Sequence, residues 1–301
     1  MIIGKENLGE LDYQFRTGFN AAFSLASTAV VDRIATVIPA TSGTMRLTGV
    51  KAFGYMREWL GKRHHKNIEA LGFTAVIRKF EDTVDVLRDD LEDDNYGQYV
   101  PQIQAMGKGA AQLDARLVAA VLQGSAAATG YDGLALGANT HSMKSTTYDN
   151  LVTTAMSQAA IKTAIDWFGS LVDDGGEELA ITPTHLVTRD KGSAYWAGRK
   201  FLLKEQVSDG AGAMVDNETY QTLEHLPMAH ITSDTFWAVL ALTDAVRPVL
   251  LLRRTLPEMT AKTNPDSDGV FEEDKYSWGV RYRVEAVPGP WQLAYTSTGA
   301  G

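Results

Sequence analysis

Two periodicities organise the apolar positions of this chain. Leu8, Leu11, Phe15, Phe19 and Phe23 recur at spacings of three and four, the pattern of one face of a helix. Polar residues then take over around Pro39–Gly43, so residues 1–43 read as an arm. The helical spacing returns at Tyr96 and continues through Val100, Ile103, Met106, Ala110, Leu113, Leu117 and Val121, predicting a long amphipathic helix over about 95–123. Pro101 is tolerable there if it lies in the first turn, and Gly124 is a natural stop. From Lys275 to Val287 the period changes to two. Tyr276, Trp278, Val280, Tyr282, Val284 and Ala286 alternate with Lys275, Ser277, Gly279, Arg281, Arg283 and Glu285, as in a half-buried strand.

Shorter signals fill the rest. Residues 150–171 fit a helix, 184–188 a short buried strand and 195–205 another helix. Residues 207–217 read as a flexible loop; 230–231, 236–242 and 249–254 read as strands, and 256–270 as a turn-rich loop. A final strand is expected over 291–296. The class is therefore α+β. Residues 44–87 fit neither long pattern. Strand-like pieces at Met45–Tyr55 and Phe73–Leu87 flank a centre carrying Arg57, Lys62, Arg63, His64, His65 and Lys66. This predicts a long hairpin with a basic tip, projecting to dock on something else.

Composition narrows the function. The 301 residues suffice for two domains or one with large excursions, and 45% apolar content supports a real core. A net charge of −9 does not attract nucleic acid or anionic membrane as a whole. The absence of cysteine excludes disulfides, thiolate catalysis and cysteine zinc sites. No apolar run has the length of a signal peptide or a membrane span, so a soluble intracellular protein is expected.

The stretch RDDLEDDN, Arg88 to Asn95, concentrates Asp89, Asp90, Glu92, Asp93 and Asp94 just ahead of the long helix. Asp93, Asp94 or Asn95 could cap that helix, and acidic charge suits the positive end of its dipole. The surplus reads as a solvated or partner-facing surface. Only Leu91 among them is apolar, a poor setting for raising a carboxyl pKa, so paired-carboxylate catalysis is disfavoured. Calcium-loop spacing is missing, and His64-His65 with His141 lack the spacing of a zinc helix. His185, His225 and His230 read as hydrogen-bonded structural histidines. Nucleophile and phosphate-loop motifs are absent, and the glycines of Gly107-Lys108-Gly109 suggest a close neighbour on the long helix. The reading calls for no catalytic residue, cofactor or metal. The basic tip, with Tyr55 and Trp59, could grip nucleic acid. A second copy's acidic stretch is the favoured partner, because opposite patches that cannot easily meet within one fold drive head-to-tail association.

Several long stretches carry a family resemblance. REWLGKR from Arg57 to Arg63, FEDTVDVLRDDLEDDNYGQY from Phe80 to Tyr99, Met106-Gly107, Tyr131-Asp132-Gly133 with His141, RRTLPEMTAKTNPD from Arg253 and FEEDKYSWGVRYR from Phe271 occur in this order. Together they resemble the major head subunits of Mu-like phages and prophages, which are similar to the Hong Kong 97-type capsid fold. The resemblance implies an N-terminal arm (1–43), an extended E-loop hairpin (44–86), a peripheral domain (87–145 and 246–288, with spine helix and a loop at 256–270) and an axial domain (146–245 and 289–301). It implies a capsid protein that forms pentamers and hexamers of an icosahedral shell around double-stranded DNA. The chain would have no enzymatic activity, no membrane association and no sequence-specific DNA binding. It would assemble in the host cytoplasm with a portal and, possible in such shells, a decoration protein. Because the arm starts almost at Met1, a separate scaffold is expected. Lysines Lys51, Lys62 and Lys66 face a counterpart region with Asn264, but crosslinking is not expected. Arg57, Lys62, Arg63 and Lys66 would pair with Asp89, Asp90, Glu92, Asp93 or Asp94 of a neighbour, with Trp59 and Leu60 as apolar anchors. Alternatives are a cargo-storing shell on the same fold and a nucleic-acid-binding module using residues 57–66.

Overall fold

A computed structural model describes residues 5–26, 29–49, 71–93, 95–125, 128–143, 146–173, 176–208, 213–243, 245–264 and 268–300. Arg57, Trp59, Leu60, Lys62, Arg63 and Lys66 of the hairpin tip lie outside the described residues, as does Asp94.

The chain opens with helix α1 (Lys5–Ala26), which buries Leu8, Leu11, Phe15 and Phe19 along one stripe. Helix α2 (Ala29–Ile34) leads into strand β1 (Ala35–Pro39). Strands β2 (Thr44–Gly49) and β3 (Leu71–Val76) then pair antiparallel, from Thr44 opposite Val76 to Gly49 opposite Leu71. This is the base of the expected hairpin. It is not free of the body: Leu47, Ala75 and Ile77 pack with Ala40, Leu252 and Val287. Strand β4 (Arg78–Leu87) follows, then the short helix α3 (Arg88–Glu92), a 3-10 turn (Asn95–Tyr99) and the spine helix α4 (Val100–Leu122). Pro101 falls at the start of α4, where its missing N–H costs nothing. Gly124, at φ 69°, takes the left-handed conformation that ends it.

A small hairpin of β5 (His141–Met143) and β6 (Thr146–Tyr148) comes next, followed by β7 (Leu151–Val152). Helix α5 (Gln158–Gly169) starts at Ser157, whose side chain caps it by accepting from Ala160 N at 3.1 Å. Strand β8 (His185–Arg189), helix α6 (Ser193–Leu203), the pair β9 (Gln206–Ser208) and β10 (Met214–Asp216), β11 (Glu224–Met228) and β12 (Trp237–Leu240) complete the middle. Strand β13 (Val249–Lys262), helix α7 (Asp268–Glu273), strand β14 (Lys275–Pro288) and β15 (Ala294–Ser297) finish the chain.

Two sheets result. One has the order β1-β13-β14-β4, the other β11-β8-β12-β15-β7. Every residue of β12 is buried, as befits the centre of a covered sheet. The alternation expected over 275–287 is present: Tyr276, Trp278, Val280, Tyr282, Val284 and Ala286 are all buried. One apolar core runs from the second half of α4 through the five-stranded sheet; a second joins α1, the first half of α4 and the far end of β14.

Some expectations need correction. Residues 256–270 are not a loop throughout, because β13 continues to Lys262 against β14 and α7 begins at Asp268. Polar composition hid the extension of β13 as an edge strand on β14, whose inward residues are few. The expected loop at 207–217 contains the β9–β10 pair, and the helix expected from residue 150 starts only at Gln158. His230 and Ile231 are not in a strand: a turn at Ala229–His230, with His230 at φ 69°, precedes Ile231. The last strand starts at Ala294 rather than Trp291.

Candidate assembly surfaces

The acidic stretch is itself helical. Asp89 and Asp90 form the first turn of α3, and Asp93 N donates to Asp89 O at 2.9 Å, so these residues do not cap α4. Neither α3 nor α4 has a side-chain N-cap; Leu87 and Tyr99 hold those positions. Each charge is positioned differently. Asp90 accepts from the Tyr99 hydroxyl, and that carboxylate raises the phenol above its ordinary pKa. Glu92 takes Arg88 Nε at 3.0 Å, and Arg88 also reaches Asp274 at 3.7 Å. Asp89 and Asp93 are exposed. Leu91 is the anchor, buried beside Val86, Tyr99 and Tyr276. The stretch is therefore a solvated acidic knob pinned by one leucine. Among the described residues, no group of three or more His, Asp or Glu is placed to hold a metal.

Behind the knob, the spine helix is tied to the long sheet by a polar cluster that the sequence reading missed. Asp114 of α4 accepts from Arg253 Nη2 at 2.6 Å and from the Tyr282 hydroxyl at 2.7 Å. Burial, reinforced by the Asp114 charge, pushes the Tyr282 phenol far up, so it stays a donor. Gly107 lets α1 lie close: a Cβ there would stand 2.5 Å from the Phe19 carbonyl oxygen, whereas Gly109 has open space. Only one of the two glycines thus serves the close neighbour. Phe15 meets Trp278 edge-on, with ring centroids 5.0 Å apart.

A third contact joins arm and five-stranded sheet. Arg33 donates to Glu224 Oε2 at 2.7 Å and lies 2.5 Å from His185 Nε2. Burial and the Arg33 charge lower the His185 pKa. His141, expected at most as a weak metal candidate, is fully buried. Its Nδ1 is 2.5 Å from Asp132 Oδ2, and its ring stacks on Trp291 with centroids 4.6 Å apart. Burial is the largest single influence and would raise Asp132, but the bond to His141, its charge and backbone N–H donors together outweigh it and hold that carboxyl below its ordinary value. The proximity of Tyr131-Asp132-Gly133 to His141 in sequence was the available signal.

A spine helix shared by two sheets, with a helical arm and the paired base of a hairpin, defines the Hong Kong 97-type capsid fold. The chain is similar to a subunit of the bacteriophage JBD30 procapsid, with a TM-score of 0.58 and 26% identity over 98% of this chain and 76% of that one. The chain belongs to the Mu-like prophage major head subunit gpT family, whose profile matches residues 8–168 and 227–300, more than half its length. It is 25% identical to the major capsid protein of Escherichia phage Mu, over 99% of this chain and 76% of that protein. A prophage FluMu major head subunit of Haemophilus influenzae is 22% identical over 88% of this chain and 65% of its own length. The protein is thus a major capsid subunit of the Mu-like type, a structural component of the virion. The nucleic-acid-binding and cargo-storing readings are not favoured.

Proposed function

We propose that copies of this chain associate as pentamers and hexamers into an icosahedral shell that encloses double-stranded DNA. The family match across both the α1–α5 block and the C-terminal strands carries the reading. In that shell the five-stranded sheet is the axial domain, and the four-stranded sheet with α4 is the peripheral domain. The hairpin that rises from β2 and β3 lies over a neighbour. Arg57, Lys62, Arg63 and Lys66 at its tip meet the acidic knob of Asp89, Asp90, Glu92, Asp93 and Asp94, with Trp59 and Leu60 buried in between. Exposed ion pairs of this kind contribute about 0–1 kcal/mol each, so they set register while the apolar anchors supply strength. A separate scaffold, a portal and a decoration protein are the other partners of assembly in the host cytoplasm, and no step requires enzymatic activity by this chain.

The test is size-exclusion chromatography with light scattering and negative-stain microscopy, alone and with the neighbouring phage genes co-expressed. Shells, tubes or capsomer rings are expected. Persistent monomers under both conditions would overturn the reading. The double change Trp59→Ala with Leu60→Ala should abolish shells yet leave a folded subunit; normal shells would remove the anchor role.

A further inference from the structure

Two consecutive arginines leave β13 on opposite faces, as successive strand residues do, at the point where the register of β13 on β14 shifts between Arg253 and Thr255. Arg253 turns to the spine side and binds Asp114 and Tyr282. Arg254 turns outward, toward Arg283 of β14. There the base of the hairpin peels off the sheet at Gly43. A Cβ on Gly43 would stand 3.2 Å from Arg283 Nη2 and 3.3 Å from Arg254 Nη1, so both guanidinium groups converge on one point beside that glycine. Lys79 lies directly across from Arg283 on β4. One row further along, Arg281 is flanked by Glu81 and Glu258, and one row back Arg78 donates to the buried Glu285 at 2.8 Å. Between these two compensated rows, no described acid forms an ion pair with Arg254 or Arg283.

The cluster is anomalous in energy as well as in charge. Arg283 Nε is buried with no hydrogen-bond partner among the described residues. Burial, Arg254 and Arg281 together lower the Arg283 pKa, the sign of a cation with no anion beside it. A buried N–H without a partner and two like charges side by side both oppose folding. Such a feature calls for a partner that the described residues do not supply.

We propose that Arg254 and Arg283 form a socket for a carboxylate of a second copy of this chain, filled on assembly. The inference rests on the shell reading above, which brings copies into contact. A guanidinium fork matches a carboxylate with two parallel bonds. At a net charge of −9 the chain's own surface is rich in carboxylates and repels DNA as a whole. Asp82, outside the acidic knob, is exposed and forms no ion pair among the described residues. The socket is a compact pair under a hairpin base, not a basic groove that could follow a phosphate backbone.

The full-length protein tests this. Arg283→Met removes one of two crowded cations, so isolated subunits should unfold at the same temperature or higher, while shell yield by sedimentation and microscopy falls about tenfold. Lower subunit stability with unchanged shell yield would place the partner inside the same chain and overturn the proposal. Normal shells from Arg283→Met, alongside normal wild-type shells, would overturn the socket and leave the capsid reading standing. Failure of wild-type subunits to assemble even with the neighbouring phage proteins would overturn both. The occupant is identified by a photo-reactive benzoylphenylalanine at Thr255, the exposed neighbour of Arg283 on β13. Shells grown from mixed heavy- and light-isotope copies should give heavy–light crosslinks to an acidic peptide. Crosslinks only within one copy, or to DNA, would refute a second copy as the occupant.

Discussion

The two sheets of this subunit solve the problem of buried polarity in opposite ways. In the five-stranded sheet, buried polar side chains find partners within the chain. Asn150 is fully buried; it accepts from Ala138 N at 2.8 Å and donates to Leu136 O at 2.9 Å and Ala294 O at 3.0 Å. Thr296 donates to Asn150 O at 3.1 Å, and Ser297 to Thr154 O at 2.7 Å. The four-stranded sheet is satisfied on its spine side, and its outer side pairs Arg78 with Glu285 and Lys275 with Asp85. That outer side also carries Arg254 and Arg283 without an acid among the described residues, and the sheet's edges carry the acidic knob and the hairpin base. A half that is complete alone and a half that is complete only in company are what repeated assembly of one chain requires: a rigid body and an adhesive surface.

The largest effect that could break this contrast lies at Asn150. Asn150→Leu would leave the Ala138 N–H and up to three carbonyls without their partner in a dry site, where each lost bond matters most. A loss of about 3–5 kcal/mol of subunit stability is expected in denaturant unfolding. A loss below about 1 kcal/mol would show that the five-stranded half is no more self-sufficient than the other. The attachment of α1 to α4 comes next. Gly107→Ala forces a methyl against the Phe19 carbonyl and should cost about 1–3 kcal/mol, with faster proteolysis of the arm. Gly109→Ala, with open space around it, should instead stabilise the subunit by about 0.5–1 kcal/mol. Equal effects at the two positions would mean that the arm is not packed through Gly107.

Much of this architecture could be read from periodicity, and the exceptions have physical causes. The α1 stripe, α4 and the alternating face of β14 were legible because each buries a regular face. The outer ribbon of β13 was not, since residues such as Thr255, Glu258 and Thr260 are exposed and carry no apolar alternation. The acidic stretch was legible as a surface but not as a helix, because Leu91 alone reports its packing. The Arg254–Arg283 cluster depends on which residues of β13 and β14 lie across from each other, which a sequence does not display. Alternation did place Arg281 and Arg283 on the outward face, and Arg254 closed the strand expected over 249–254; what was not legible was the pairing that sets the two strands side by side.

Mild acid offers the smallest and most selective test of the contrast. His225 on β11 sits with Nε2 2.9 Å from the Thr188 hydroxyl, which itself donates to Arg189 O at 2.8 Å. The hydroxyl's proton is committed, so the neutral ring donates from Nε2. Burial, then the nearby Arg199, lowers the His225 pKa to about 4 from 6.5. His185 and His230, in and beside the same sheet, are lowered too, chiefly by burial. For a base held neutral in the fold, stability is unaffected above the unfolded pKa. As pH falls below about 6.5 the unfolded chain takes up a proton that the native chain refuses, and stability declines until the folded pKa is reached. In the four-stranded sheet the lowered group is a carboxyl, Asp85, held down by Lys275 and Ser277. Its contribution is present above the unfolded value of 3.8 and fades only as pH drops through its lower folded value. Moving from pH 7 to pH 5 should therefore weaken the five-stranded half first, by about 1–2 kcal/mol once partial exposure of His225 is allowed for. Hydrogen exchange should show lost protection in β8 and β11 before β13 and β14, and His225→Gln should remove most of the difference. Uniform loss across both sheets would mean that the two halves unfold as one cooperative unit, and that the division between a self-sufficient and a dependent half holds for assembly alone.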